Sequence, residues 1–99
     1  MTTHEKNVLD DYFQEMVEGR KQFEIRLRQE NIRIGDQLLL REITSDGAYT
    51  GREIKARIKY MLPVSRVEKL YGMSPLSQLE VWGLDKIRMV KGGEDNSQS

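Results

Sequence analysis

Three side chains suited to a polar ligand stand close together in the sequence: Lys21, Glu24 and Arg26. In the run Gln22-Phe23-Glu24-Ile25-Arg26-Leu27, polar and apolar residues alternate strictly, the pattern of a half-buried strand. Glu24 and Arg26 then share one face, and Phe23, Ile25 and Leu27 are expected to face the core. An Arg presents a planar fork to a phosphate or a base edge, and a Glu accepts from base amino groups. Lys21 sits at the turn that enters the strand. As a catalytic pair, Glu24 would serve as general base and Lys21 as electrophile. As plain surface, the three would form an ion-paired face.

Other candidates lie further along. Lys55, Arg57 and Lys59 form a basic ladder on one side of a strand. Alternate strand residues are roughly 6.6 Å apart, a spacing that can follow successive phosphates of a single strand. The competing explanation is edge protection, in which charges keep an exposed strand from pairing. Tyr49 could stack a base, a contact worth ~1–3 kcal/mol, or pack across its hairpin. Arg52 could reach a phosphate or pair with a neighbouring acid. His4 is a candidate for the rim of a site, and a lone His is equally a packing residue. Trp82 is expected in the core, and the Met residues in packing.

The chain has 99 residues, with 16 basic and 16 acidic side chains and zero formal net charge. This length suits one small domain, and neutrality argues against a uniform nucleic-acid coat. The charge is uneven, however. Residues 1–19 carry five acids against Lys6 alone, whereas residues 20–69 carry twelve bases against seven acids. A local anion site is compatible with that layout. The chain lacks cysteine, which excludes disulfides, thiolate metal sites and a Cys nucleophile. A single His excludes a multi-His metal centre, so no metal and no cofactor are expected. The longest apolar run, Leu38-Leu39-Leu40, is far short of the ~20 residues of a membrane span. No secretion signal is visible at the start, and the expected compartment is the cytoplasm.

The elements that must position these residues follow from periodicity. Residues 3–9 read as extended. A short helix is expected over about 11–18, with Asp10 as N-cap, a stripe of Tyr12, Phe13, Met16 and Val17, and Gly19 ending it. Strands follow at 22–27 and 37–43, separated by a turn with Gly35-Asp36. The Leu run suggests that the second is buried on both faces. An Asp46-Gly47 hairpin leads to a strand over 52–62 that turns Ile54, Ala56, Ile58, Tyr60 and Leu62 inward, with Pro63 stopping it. Ser65 and Glu68 form a capping-box signature for a helix over 66–71. After a loop at 74–77, a strand covers 79–84 and an extension 87–90. Residues 1–91 are expected to form a single domain, and 92–99 a disordered tail. The fold class is α+β: a small, mostly antiparallel β-barrel with one or two short helices.

The segment Gly19-Arg20-Lys21-Gln22-Phe23-Glu24-Ile25-Arg26 matches G-x-K-x-x-E-x-R and resembles the signature of the ASCH domain family within the PUA-like superfamily. His4-Glu5, Tyr12-Phe13, Ile34-Gly35-Asp36 and Tyr49-Thr50-Gly51-Arg52-Glu53-Ile54 resemble one bacterial and phage branch of it. The resemblance covers about residues 3–84. It implies a PUA-like barrel with a helix beside a cleft, with Lys21, Glu24 and Arg26 at the cleft, and RNA or a modified nucleoside as partner. One branch of that fold is similar to amidohydrolases of N4-acetylcytidine, which place a Thr nucleophile where Glu24 stands; a metal-independent hydrolase or a ribonuclease is the enzymatic alternative. A protein-interaction module, docking through the acidic helix or the basic sheet, is the third.

Overall fold

The computed structural model describes residues 1–74 and 78–92. Strand β1 (Thr3–Leu9) leads directly into helix α1 (Asp10–Val17). Strands β2 (Phe23–Leu27), β3 (Gln37–Ile43) and β4 (Tyr49–Pro63) follow. Helix α2 (Val64–Leu70) precedes β5 (Leu79–Gly92). The five strands form one sheet in the order β1-β3-β4-β5-β2, curled into a half-barrel. Three ladders are antiparallel, and β1 runs parallel to β3. The mostly antiparallel, strand-rich α+β expectation therefore holds, with a parallel first pair. A parallel partner cannot come from a tight hairpin; here α1 and β2 supply the crossover.

The inner side of the curl is filled by Val8, Leu38, Leu40, Ile54, Ala56, Ile58, Trp82 and Leu84, against Phe13 and Met16 of α1. In β4 the inward set does not run on to Tyr60. A bulge between Ile58 and Tyr60 places two β4 residues against one of β5. The alternation therefore slips by one. Met61 packs against the core in place of Tyr60, which is exposed. Leu39 is half-buried between buried Leu38 and Leu40.

Element ends also differ from expectation. The N-cap of α1 is Leu9, and Asp10 and Asp11 occupy the first turn, where the helix dipole favours acids. Helix α2 begins at Val64 with Pro63 as N-cap, so Ser65 lies inside the helix and caps nothing. Gly92 belongs to β5, and the rest of the proposed tail, like residues 75–77 of the expected loop, lies outside the described residues. Gly19 ends α1 at a left-handed φ of 81°, with its N–H donating to the Met16 carbonyl.

Two carboxylates tie the elements together. Glu42 of β3 is buried and accepts a two-pronged contact from Arg52 of β4, Nε to Oε1 at 2.8 Å and Nη2 to Oε2 at 2.7 Å. The same guanidinium reaches Gln14 of α1 at 3.0 Å and lies 4.9 Å from the Phe13 ring centre. Asp36 accepts from His4 at 2.8 Å and from the backbone N–H groups of Arg33 and Thr2, pinning the turn before β3 to the start of β1. Arg52 holds the Glu42 carboxyl below the usual carboxylate range, and the His4 contact does the same for Asp36.

A carboxyl whose pKa is lower folded than unfolded stabilises fully above its unfolded value and loses that contribution as pH falls. The urea midpoint should therefore drop as pH falls below about 4.3, the reference value for Glu. A double Asp36→Asn, Glu42→Gln variant should be less stable at pH 7 and should show a shallower acid decline; an equally steep decline would assign the acid sensitivity elsewhere.

Candidate functional site

At the two ends of the sheet, β1 and β2 face each other across the curl without pairing. Between them lies a cleft of about 520 Å³, lined by Asn7, Val8, Leu9, Tyr12 and the stretch from Lys21 to Arg26 without Gln22. The β2 edge toward this gap pairs with no strand, and side chains meet two of its carbonyls, Lys21 that of Phe23 and Gln29 that of Leu27. Leu84 N–H donates to the Gln22 carbonyl and Arg28 N–H to the Gln78 carbonyl, so even-numbered positions turn toward β5. Phe23, Ile25 and Leu27 therefore turn their N–H and C=O groups to the open side.

The side-chain faces of β2 are the reverse of the expectation. Phe23, Ile25 and Leu27 are 40%, 52% and 64% exposed, whereas Glu24 is 5% exposed. The register explains this: Glu24 stands opposite Trp82, and so shares the inward face with that buried ring. The inward face of an edge strand at an open seam is reached by water and by long cationic side chains, so a carboxylate there can be satisfied.

Lys21 Nζ donates to Glu24 Oε2 and to the Phe23 carbonyl, both at 2.7 Å. Arg26 Nε donates to Glu24 Oε1 at 3.0 Å, and Arg26 Nη2 donates to the Asn7 carbonyl of β1 at 2.8 Å. Arg26 thus spans the seam, and Lys6 of β1 adds a second tie to Gln29 beyond the end of β2 at 2.6 Å. Lys21 Nζ also lies 4.9 Å from the Phe23 ring centre and 5.9 Å from that of Tyr12, within cation–π range. An ammonium has three donors and a guanidinium five. One donor of Lys21 and both of Arg26 Nη1 have no partner among the described residues. The site offers cationic donors beside aromatic walls and a strand edge that no other strand pairs with.

Of the residues expected from sequence, Lys21, Glu24 and Arg26 meet at this cleft. Tyr49 stands one contact away, its Oη donating to Asn7 Oδ1 at 3.2 Å. His4 and Arg52 are not at the cleft, being engaged by Asp36 and Glu42. Lys55 and Arg57 lie on the outer face of the sheet, beside a separate groove. The sequence does not mark Asn7, Val8, Leu9, Tyr12, Phe23 or Ile25 as cleft residues. Tyr12 was placed on the apolar stripe of α1, yet it is 55% exposed and lines the cleft. A phenol directly after two acids, at the start of a helix, is the signal that could have marked it.

The sequence profile of one family matches residues 3–72. The chain belongs to the family described as a domain of unknown function (DUF3850). The matched stretch runs from β1 through α2 and includes every cleft residue. The chain is also 40% identical over 55 residues to the "Uncharacterized 12.9 kDa protein in GpA 3'region" of Escherichia phage P2. That alignment covers 56% of this chain and 50% of the phage protein, so it spans about half the length of this curated relative. Among the described residues, no group of three or more His, Cys, Asp or Glu is placed to hold a metal ion. No helix among them is long and apolar enough to cross a membrane.

Removing the carboxylate should strand two cations against an apolar wall. Glu24→Ala is expected to cost on the order of 2 kcal/mol. That is below the ~3–5 kcal/mol of a fully buried pair, because Lys21 and Arg26 keep part of their surface in water. Urea unfolding measures it; a loss under about 0.5 kcal/mol, the size of an ordinary surface change, would show that Glu24 does not hold the seam.

Proposed function

We propose that this protein of the DUF3850 family is an ASCH-like, PUA-like module that binds RNA or a nucleotide-like ligand in the β1–β2 cleft, in the cytoplasm and without a metal or other cofactor. The observation that carries the reading is the pair of cations held by buried Glu24 beside Tyr12 and Phe23. Lys21 and Arg26 keep unused donors for a phosphate or a carbonyl-bearing base edge. The aromatic rings offer faces to a base, and the free N–H and C=O groups of Ile25 can meet its polar edge. Glu24 positions the two cations, and Tyr49 borders the site through Asn7.

The experiment is titration of the protein with uridine and cytidine monophosphates and short single-stranded RNAs at low salt, followed by calorimetry. Lys21→Met keeps the apolar stem and removes the charge. It should weaken binding roughly tenfold, as expected for one charge-assisted hydrogen bond. It should also melt somewhat lower, because Glu24 and the Phe23 carbonyl each lose a donor while Arg26 keeps Glu24 paired; binding is therefore compared well below both melting temperatures. Indifference to Lys21→Met would remove the cleft assignment. Chromatography of the same mixtures with N4-acetylcytidine separates binding from hydrolysis. Turnover lost in Glu24→Gln would make Lys21 and Glu24, 2.7 Å apart, a catalytic pair instead.

A further inference from the structure

We propose that the outer face of the sheet carries a second anion site, a groove that takes the phosphodiester backbone of single-stranded nucleic acid. The groove lies across β3, β4 and β5, holds about 110 Å³, and is lined on its charged sides by Lys55, Arg57, Lys86 and Arg88.

Edge protection does not account for all of these charges. Lys55 and Arg57 sit on the central strand β4, flanked by β3 and β5, whereas Lys86 and Arg88 lie on the stretch of β5 beyond its pairing with β2, so the exclusion holds for the two β4 residues. Lys55 stands directly opposite Arg88 in the β4–β5 ladder. Like charges at facing positions destabilise a sheet. Between this pair and the Arg57–Asp85 pair, β5 has one more residue than β4. The resulting bulge contains Lys86 at φ 51°, the one non-glycine residue with positive φ among the described residues. Glycine adopts that conformation without strain, and lysine does not. Two unfavourable choices, a like-charge facing pair and a lysine in a left-handed bulge, thus converge on one groove. Strain of this kind gathers at functional sites.

The charge balance identifies the ligand. Asp85 stands next to the groove and not in its lining; Arg57 donates to it through Nε at 2.9 Å and Nη2 at 2.6 Å, and the Asp85 charge also acts on Lys59 and Lys86. This fixes the guanidinium at the groove wall. Among the described residues, no carboxylate lies within ion-pair distance of Lys55, Lys86 or Arg88. Further along the same face, Arg41 is matched by Glu5 and Glu53. Other bases, Lys59 and Lys91 among them, also lack an ion-pair partner among the described residues; Lys55, Lys86 and Arg88 are the ones that line a single groove together. Lys55 and Arg57 are two residues apart on one strand, roughly 6.6 Å, a separation suited to successive phosphates of an extended strand. The site stands independently of the cleft.

Fluorescence anisotropy with a labelled oligouridylate of roughly twelve nucleotides tests it. Lys55→Gln with Arg88→Gln should lower affinity about tenfold at low salt and reduce the slope of log K against log salt by roughly 1.4, two phosphate contacts on a single strand. Lys86→Gly should lower affinity severalfold. Both variants should melt at or above the wild-type temperature, because repulsion or strain has been removed; residues with only a structural role would melt lower. Mononucleotide binding should be unchanged in both. Oligonucleotide binding that responds to these variants while wild type binds no mononucleotide would sustain the groove and remove the cleft reading. Unchanged affinity and slope would overturn the proposal, as would displacement of the RNA by polyglutamate as effectively as by unlabelled RNA.

Discussion

A curled sheet whose two end strands face each other must do something with the backbone groups along both edges. Here β1 and β2 do not pair, and side chains take over. The Asn7 carbonyl is met by Arg26 and the Phe23 carbonyl by Lys21, while Lys6 ties to Gln29. Two cations can hold this seam only because the Glu24 carboxylate lies between them, accepting from both. Side-chain closure leaves a gap that backbone pairing would have sealed, and the cleft is that gap. Upstream, α1 must end where it does so that Gly19 can reverse the chain and deliver Lys21 to the opening of β2. Downstream, Trp82 must stand opposite Glu24 in the ladder to hold the inward face in place.

The zero net charge results from local bookkeeping. Arg20 is met by Glu15 and Glu18, Arg41 by Glu5 and Glu53, Arg52 by Glu42, and Arg57 by Asp85. In the first segment Glu15 and Glu18 answer Arg20 locally, whereas Glu5 reaches Arg41, 36 positions away, only through the parallel β1–β3 pairing. The cleft and the outer groove differ in how charge is handled. In the first, a buried acid gathers cations; in the second, cations face one another with a single acid already taken.

Periodicity located nearly every element, because strands two to three turns of alternation long and a helix with a clear apolar stripe leave strong local signals. It erred where position in the sheet decides. The alternation of β2 was visible, but which face turned inward depended on pairing with Trp82, some sixty residues later. The inward set of β4 was right through Ile58 and failed at Tyr60, because a bulge is a property of two strands together. Arg52 leaves a phosphate and a neighbouring acid both open from sequence, and the choice falls to Glu42 only because the hairpin brings β3 beside β4. The convergence of Lys21, Glu24 and Arg26 was legible because all three lie within six residues, where turn and strand geometry alone bring them together. Asn7 and Tyr12 were not, since they reach the cleft only through closure of the curl.

Trp82 is the sole tryptophan of the chain, fully buried, with its Nε1–H donating to Glu80 Oε1 at 3.1 Å and with Glu24 as its ladder partner. Indole emission depends on local field and on hydrogen bonding, and here the indole stands on the inward face beside the residue whose carboxylate governs the cleft, its ladder partner Glu24. The protein therefore carries its own optical reporter. A change in the charge pattern beside Trp82 reaches the fluorophore through one strand pairing, without any label and without a competing signal from another ring of its kind.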